Sequence, residues 1–222
     1  NYADDTVILA PTAFALQELL DICIAYAKEV GILYNRKKTR CMYFKPKTYE
    51  NLWIPSVFLD GFMLQFVNWY KYLGCIIETG LCDNLDIERQ TQAVYIRGNM
   101  LVRNFSECSQ EVKVELFRSY CSNIYGASLW CNYDVQHIKS VEVAYNNVFR
   151  SLMKIDRRSS ISLCYMLANV KHFKSLFRSC TFSLYKRVIS SQNAIVQCVC
   201  SSSYFMYKSK LFKEWKDRLF AF

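Results

Sequence analysis

The stretch IKSVEVAYNNVFRSL, residues 138–152, places apolar side chains one helical turn apart. Spacings of three and four residues put them on one face of an α-helix. The residues on that face are Ile138, Val141, Tyr145, Val148 and Leu152. Because a helix with a single apolar stripe must cover it with other apolar surface, this segment predicts that several helices pack around it.

Three further segments between residue 79 and the C-terminus carry apolar stripes of the same kind. The first stripe comprises Ile87, Thr91, Val94, Leu101 and Phe105, the second Val112, Leu116, Tyr120 and Ile124, and the third Phe173, Phe177, Cys180, Leu184 and Val188. Glycine and proline, which interrupt helices, number only 6 and 3 in 222 residues. Residues 79–222 are therefore predicted to be all helical.

Residues 1–78 alternate between helix and strand signals. Thr12 is suited to begin a helix and Gly31 to end it. Asp60-Gly61 lies between two apolar runs and predicts a β-hairpin. Apolar runs at residues 6–10, 41–44 and 70–77 predict strands. The sequence thus predicts an α+β fold, with an antiparallel sheet in the first part and a helical second part.

The net charge of +9 is unevenly distributed along the chain. Residues 1–78 hold equal numbers of acidic and basic side chains, so the whole excess lies in residues 79–222. This asymmetry indicates a polyanionic partner for the second part, or alternatively a basic surface that only promotes solubility.

The composition also bears on compartment. No apolar run reaches the roughly 18 residues of a membrane span, which argues against a membrane partner. The odd count of 11 cysteines and the lack of a secretory signal predict reduced thiols and an intracellular location.

The tetrapeptide Tyr2-Ala3-Asp4-Asp5 stands directly before an apolar run. Adjacent carboxylates at a turn present hard oxygen ligands suited to Mg²⁺. Phosphoryl transfer commonly uses two such ions, one at the attacking oxygen and one at the leaving oxygen. The tetrapeptide is a candidate metal site, and the alternative is an ordinary surface turn.

Further motifs follow in order. Gly31-Ile32-Leu33-Tyr34-Asn35 precedes Lys38-Thr39, then Met42 and Phe44. Tyr72-Leu73-Gly74 comes next, followed by Ile76 and Ile77, and the segments Tyr125-Gly126-Ala127-Ser128-Leu129-Trp130 and 144–150 lie further on. Together with the aspartate pair, these blocks resemble the C-terminal part of a reverse transcriptase from a non-LTR retrotransposon: palm motifs C to E, thumb and downstream helices.

The resemblance implies a role for each motif. Residues 1–78 would form the C-terminal half of the polymerase palm, and residues 79–222 a helical thumb with a helical extension. Asp4 would coordinate Mg²⁺ and Asp5 would support the site. Lys38 would stabilise the departing pyrophosphate, unless it is a solvated turn lysine. Tyr72, Leu73 and Gly74 would form the primer grip, unless they are an ordinary buried strand.

The resemblance also implies a reaction and its partners. The intact parent would be an RNA-directed DNA polymerase that binds an RNA template, a DNA primer and deoxynucleoside triphosphates, and acts in the cytoplasm and nucleus. The fingers and the first palm half, with a further aspartate, would precede Asn1, so the chain alone is expected to be a poor catalyst. The alternative is a catalytically inactive nucleic-acid-binding remnant of a decayed element.

The C-terminal stretch from Tyr204 to Phe222 is both aromatic and basic. Such a stretch either stacks on nucleic-acid bases or packs its rings into the protein core. The pattern favours packing.

Overall fold

A computed structural model of the protein describes residues 4–45 and 53–220. Over these residues the fold combines nine α-helices with two small antiparallel sheets, so the α+β prediction is confirmed at this level. The helices are α1 (Ala13–Val30), α2 (Asn84–Phe105), α3 (Gln110–Cys121), α4 (Val135–Met153), α5 (Ile161–Leu167), α6 (Phe173–Ile189), α7 (Ala194–Ser201), α8 (Ser203–Lys208) and α9 (Lys210–Phe220), with a short 3₁₀ helix at Ala127–Leu129. The strands are β1 (Phe58–Leu59), β2 (Phe62–Met63), β3 (Trp69–Tyr72) and β4 (Cys75–Glu78).

The chain divides into two compact units. The first comprises Asn1–Tyr70 with Ile77–Leu81, and the second comprises Lys71–Ile76 with Cys82–Phe222. Each unit has its own apolar core. The assignment of residues 1–78 to a polymerase palm and of residues 79–222 to a thumb stays a prediction.

Helix α1 has the predicted ends. The Thr12 hydroxyl accepts a hydrogen bond from the Ala15 backbone N–H at 3.1 Å, which satisfies one of the free donors at the helix start. At the other end Gly31 adopts a left-handed conformation, with φ 72°, that glycine reaches without steric cost. Leu20 of α1 is buried in the core of the first unit with Val57 and Leu59.

The hairpin predicted at Asp60-Gly61 is confirmed. Strands β1 and β2 pair Phe58 with Met63 and Leu59 with Phe62. Asp60 and Gly61 both have positive φ, at 48° and 74°, which a tight two-residue hairpin turn requires. The hairpin also docks on α1 through Gln17, whose side-chain amide accepts from the Phe58 N–H at 2.7 Å and donates to the Phe58 carbonyl at 2.9 Å.

Two of the predicted strands in the first unit are wrong. Residues 6–10 are not in a strand, and of residues 41–44 only Cys41 is paired, in an isolated parallel bridge with Phe66. That bridge has two hydrogen bonds: the Cys41 N–H donates to the Gln65 carbonyl and the Val67 N–H donates to the Cys41 carbonyl. A strand forms only where a neighbouring backbone supplies a ladder, and apolar character alone does not supply one.

The third predicted strand, residues 70–77, is instead a hairpin. Strands β3 and β4 pair with each other and leave Leu73 and Gly74 at the turn, with φ of 45° and 82°. Apart from Lys71 and Gly74 the run is apolar or aromatic, so its hydrophobicity hides the turn. Only Gly74, the single glycine of the run, marked the place where the chain reverses.

The helical stripes are confirmed for α2, α4 and α6. Ile87, Val94, Val141 and Tyr145 are completely buried in one core, to which Phe173 and Phe177 of α6 also belong. In α3 the predicted face is only partly right: Ile124, after the helix, is buried and Leu116 packs against the core, but Val112 and Tyr120 are about half exposed. The buried residues of α3 itself include Val114, Phe117 and Cys121. Helix α3 is apolar on two sides, so its sequence pattern did not determine which side faces the core.

Helices α2 and α4 approach each other closely at Gly98. A Cβ atom added at this position would lie 2.4 Å from both methyl carbons of Val148 on α4. Valine has a single preferred rotamer in a helix and cannot rotate its methyl groups away. The absence of a side chain at Gly98 therefore sets the spacing of the two central helices.

We expect Gly98→Ala to lower the free energy of unfolding by about 1–3 kcal/mol, because the added methyl group overpacks the contact between α2 and α4. Chemical denaturation followed by circular dichroism measures this change. Combining it with Val148→Ala should recover part of the loss.

The matched control is Gly80→Ala, where an added Cβ meets nothing within 4 Å. It should change stability by no more than about 0.5 kcal/mol. Equal effects of the two alanine substitutions would contradict the close approach at Gly98.

None of the helices in the described residues combines the length and the apolar character that crossing a membrane requires.

Candidate functional site

Asp4 and Asp5 are adjacent and both are exposed, and the chain turns at Asp4. Their side chains are therefore open to water and to ligands. Within residues 4–45 and 53–220, no group of three or more His, Cys, Asp or Glu side chains comes together as a metal site. Tyr2 and Ala3, the first half of the motif, lie outside the described residues. Magnesium binding by the aspartate pair stays a prediction.

Lys38 lies in a basic turn that Asn35 organises. The Asn35 carbonyl accepts from the N–H groups of Lys38 and Thr39 at 3.1 and 3.0 Å, and the Asn35 side-chain oxygen also accepts from Lys38 N at 3.1 Å. The Lys38 carbonyl accepts the Tyr70 hydroxyl proton at 3.2 Å. The backbone is thus fixed while the Lys38 side chain is exposed.

Asp4, Asp5 and Lys38 all belong to the first unit. Over the described residues, no hydrogen bond or ion pair joins the Lys38 ammonium to either carboxylate. The structure therefore gives Lys38 an open position and a fixed backbone, and leaves its predicted role at the pyrophosphate a prediction.

The predicted primer-grip residues form the β3–β4 turn, which belongs to the second unit. Leu73 and Gly74 occupy its two left-handed positions. A Cβ at Gly74 would lie 3.1 Å from the ring of Tyr125, so the turn leaves little room for a side chain there. Gly74 is required both by its φ and by this contact.

The segment Tyr125–Trp130 meets this turn from the other side. Gly126 has φ 84°, and a Cβ at this position would lie 2.9 Å from the Cys75 sulfur and 3.4 Å from an Asp86 oxygen. The β3–β4 turn and the Tyr125–Trp130 segment, about fifty residues apart in sequence, are thus in contact, and each has a glycine at the contact.

Asp86, in the first turn of α2, holds these two segments together. Its carboxylate accepts from the Ile76 backbone N–H at 2.8 Å and from the Trp130 indole Nε1–H at 2.8 Å. Arg89 donates to it through Nε at 2.9 Å and Nη2 at 2.7 Å. Asp86 is only 3% exposed, and a buried carboxylate is tolerated only with such partners. We name this arrangement the Asp86 junction.

Neighbouring side chains hold the Tyr125–Trp130 segment further. Gln90, 2% exposed, donates its amide proton to the Tyr125 carbonyl at 2.6 Å. The Trp215 indole donates to the Ser128 carbonyl at 3.1 Å, and Arg218 donates to the Trp130 carbonyl. The backbone of this segment is therefore fixed from α2 and from α9.

Asp83 fixes the chain that follows Trp130. Its side chain accepts from the backbone N–H groups of Cys131 and Asn132 at 2.7 and 2.8 Å, and its own N–H donates to the Asn132 carbonyl at 2.8 Å. Burial raises the pKa of the Asp83 carboxyl, and the two backbone N–H groups only partly offset this.

Sequence reasoning missed Asp83, Asp86 and Gln90. Acidic residues at a helix start are expected for the favourable interaction with the helix dipole, so Asp83 and Asp86 resembled an ordinary helix beginning. The only available signal was the clustering of two acids at one end of an amphipathic helix, with Asp86 on the same side as buried Ile87 and Gln90.

A basic surface lies in the second unit. Residues 157–213 contain ten Lys and Arg residues and no Asp or Glu. The predicted basic face included Lys171, which lies two residues before the start of α6; it is exposed, as are Lys174 and Arg178 of α6, whereas Phe173 and Phe177 on a different face of the helix are buried. The predicted basic face of this helix is therefore exposed and available to a polyanion.

The chain was compared with protein families, with curated proteins and with solved structures. No family model, no curated protein and no solved structure matches it.

We expect Asp86→Ala to lower the free energy of unfolding by about 3 kcal/mol. The substitution leaves the Trp130 indole, the Ile76 N–H and the Arg89 guanidinium without their shared acceptor. Urea denaturation followed by tryptophan fluorescence measures the loss. The control Asp217→Ala, at an exposed position on α9, should cost less than about 0.5 kcal/mol. Similar values for both would mean that Asp86 is not a structural centre.

We expect the free energy of unfolding of Asp83→Asn, relative to that of the parent, to increase as pH rises from about 3.5 to 7. The folded-state pKa of Asp83 is raised, so the protonated carboxyl contributes stability that is present at low pH and lost as pH rises through the folded pKa. Asparagine stays neutral and can still accept from both backbone N–H groups. Melting temperatures of the two proteins across this range test it, and a difference that does not vary with pH would contradict it.

Proposed function

We propose that this chain is the C-terminal part of an RNA-directed DNA polymerase, a reverse transcriptase of a non-LTR retrotransposon. The observation that carries the proposal is the Asp86 junction. The resemblance singled out Tyr72-Leu73-Gly74 and Tyr125–Trp130 separately, and the two segments contact each other through Gly74, Gly126 and the Asp86 carboxylate. Chance motifs fifty residues apart have no reason to meet at their glycines.

The primer grip is the part of the proposal that this junction supports. A residue that positions a primer end must hold its backbone rigid, because misplacement of the reacting atoms by about 1 Å can slow a reaction a hundredfold. The Leu73-Gly74 turn is held by the Ile76 hydrogen bond to Asp86 and by the Tyr125 ring. Its tip is suited to receive a primer backbone.

The donor set of Asp4 and Asp5 fits Mg²⁺. Magnesium keeps several waters and is bound through one or two carboxylates together with substrate phosphates, and two exposed adjacent carboxylates meet that need. In the proposal Asp4 and Asp5 hold the ion, with Asp4 the principal ligand. Bound Mg²⁺ would supply charge stabilisation for nucleotidyl transfer.

Lys38 has a compatible part in the same reaction. Its ammonium is exposed on a turn whose backbone is fixed by Asn35 and Tyr70. A positioned cation can stabilise negative charge that develops on the departing pyrophosphate. The incoming partner would be a deoxynucleoside triphosphate.

The second unit would bind the RNA template and DNA primer duplex. Lys174 and Arg178 of α6 and the preceding Lys171 would contact phosphates, which gives affinity with little sequence preference. Residues 157–213 contribute ten Lys and Arg residues and no Asp or Glu to this part of the second unit.

The basic stretch also favours a second candidate function, a catalytically inactive nucleic-acid-binding protein derived from such an element. This reading uses the charge of residues 157–213 and needs no role for Asp4, Asp5 or Lys38.

Primer extension on an RNA template with Mg²⁺ tests the polymerase candidate, and duplex binding tests the surface that both candidates share. The parent chain is compared with Asp4→Ala/Asp5→Ala, and duplex binding of both proteins is measured at about 50 and 200 mM salt. With phosphate contacts from several basic residues we expect binding to fall at least tenfold between these salt concentrations.

Extension that the double substitution abolishes would support the polymerase. Salt-sensitive binding by both proteins without extension by either is the result expected of a catalytically incomplete palm and thumb, and it is equally consistent with the binding protein. Absence of duplex binding would contradict both candidates.

A further inference from the structure

Helix α8 has one face against α9 and one face in solvent. Phe205 packs against Phe212 and Trp215 of α9, with ring centroids 5.3 and 6.2 Å away. Tyr204 and Tyr207 flank Phe205 and are 70% and 85% exposed. Some rings of the C-terminal region thus pack, as the sequence pattern favours, and others stay in solvent.

The two exposed rings lie one helical turn apart. Residues at positions i and i+3 of a helix are neighbours, with Cβ atoms about 5–6 Å apart. Lys208 directly follows Tyr207, occupies position i+4 from Tyr204 and is also exposed. Two adjacent aromatic rings and an ammonium group therefore share one side of α8.

The charge close to these rings along the chain is basic. The nearest lysines are Lys208, Lys210 and Lys213, and all three are exposed. Helix α8 falls inside residues 157–213, which contain no acidic residue, and the nearest acids along the chain are Glu214 and Asp217 of α9. The lysines beside the rings therefore favour a negatively charged partner.

We propose that the outer face of α8, formed by Tyr204, Tyr207 and Lys208, binds single-stranded nucleic acid. The tyrosine rings stack on unpaired bases and Lys208 contacts the phosphate that joins them. The inference rests on the proposed function and deepens it, since it assigns a separate surface to the unpaired part of the substrate.

The rings favour a single strand over a duplex. In a duplex the faces of the bases are covered by neighbouring bases, whereas an unpaired base offers a free face to an aromatic ring. An acidic protein would satisfy the lysines but would leave the exposed rings without a specific contact. The combination of rings and cations therefore points to unpaired bases on a phosphate backbone.

The test uses the full 222-residue chain, a fluorescent 12-nucleotide oligouridylate and an RNA hairpin duplex of about 12 base pairs. We expect Tyr204→Ala/Tyr207→Ala to weaken oligouridylate binding by about fivefold to a hundredfold, the range that follows from measured base–aromatic stacking. Duplex binding should change less than twofold. Tyr204→Phe/Tyr207→Phe keeps both rings and should bind oligouridylate like the parent.

Tyr26→Ala is the matched control, because Tyr26 is 60% exposed but lies on α1 in the first unit. It should leave oligouridylate binding unchanged. A loss equal to that of the α8 variant would overturn the inference, because exposed tyrosines in general would then account for the effect.

Three further outcomes overturn the inference. One is an α8 double alanine variant that binds oligouridylate as the parent does. Another is equal weakening of duplex and single-strand binding. The third is polyglutamate bound as tightly as oligouridylate and weakened equally by the substitutions, which would indicate an acidic protein partner. In the first case, retained duplex binding by the parent would leave the proposed function standing.

Discussion

The carboxylate of Asp86 connects α2 with the β4 backbone and with Trp130, which lies 44 residues further along the chain. It lies in the first turn of α2 and accepts hydrogen bonds from the β4 backbone, from the indole of Trp130 and from Arg89. Taking a carboxylate out of water costs several kcal/mol unless donors replace the lost hydration. None of the three parts can therefore move away without leaving buried charge or buried donors unsatisfied.

The glycines around Asp86 follow from this constraint. A carboxylate can reach the β4 backbone and a tryptophan together only if the two segments approach closely. Gly74 and Gly126 permit that approach, because a side chain on either would meet Tyr125 or Cys75. Gly98 has the corresponding role further along α2, where this helix packs against α4.

Burial raises the pKa of the Cys75 thiol, and the nearby Asp86 carboxylate adds to this effect, so the thiol stays protonated at neutral pH.

The candidate site combines rigid and open parts. The turns that carry Lys38 and Leu73-Gly74 have backbones fixed by hydrogen bonds or by packing. The side chains that would contact a substrate, Asp4, Asp5 and Lys38, are exposed. A fixed backbone with free polar side chains is the arrangement that substrate binding requires, because order is provided before the ligand arrives.

The basic surface has a different origin. Its charge comes from composition alone, since residues 157–213 lack acidic side chains. Its geometry comes from the burial of Phe173 and Phe177 of α6, which leaves Lys174 and Arg178 of the same helix in solvent. The same division on α8 leaves two tyrosines in solvent while Phe205 packs against α9.

The sequence by itself determined the features that depend on local chemistry. Thr12 and Gly31 bound α1, Asp60-Gly61 makes the first hairpin, and the stripes of α2, α4 and α6 face the core, because capping, turn conformation and helical periodicity act over a few residues. Only the tertiary structure decided which side of α3 is buried and where residues 70–77 reverse. It also decided that Asp86 is a buried centre and not a helix-start acid. Each of these depends on partners distant in sequence, such as Trp130 for Asp86. A local sequence pattern cannot predict such a partner, because only folding brings the two residues into contact.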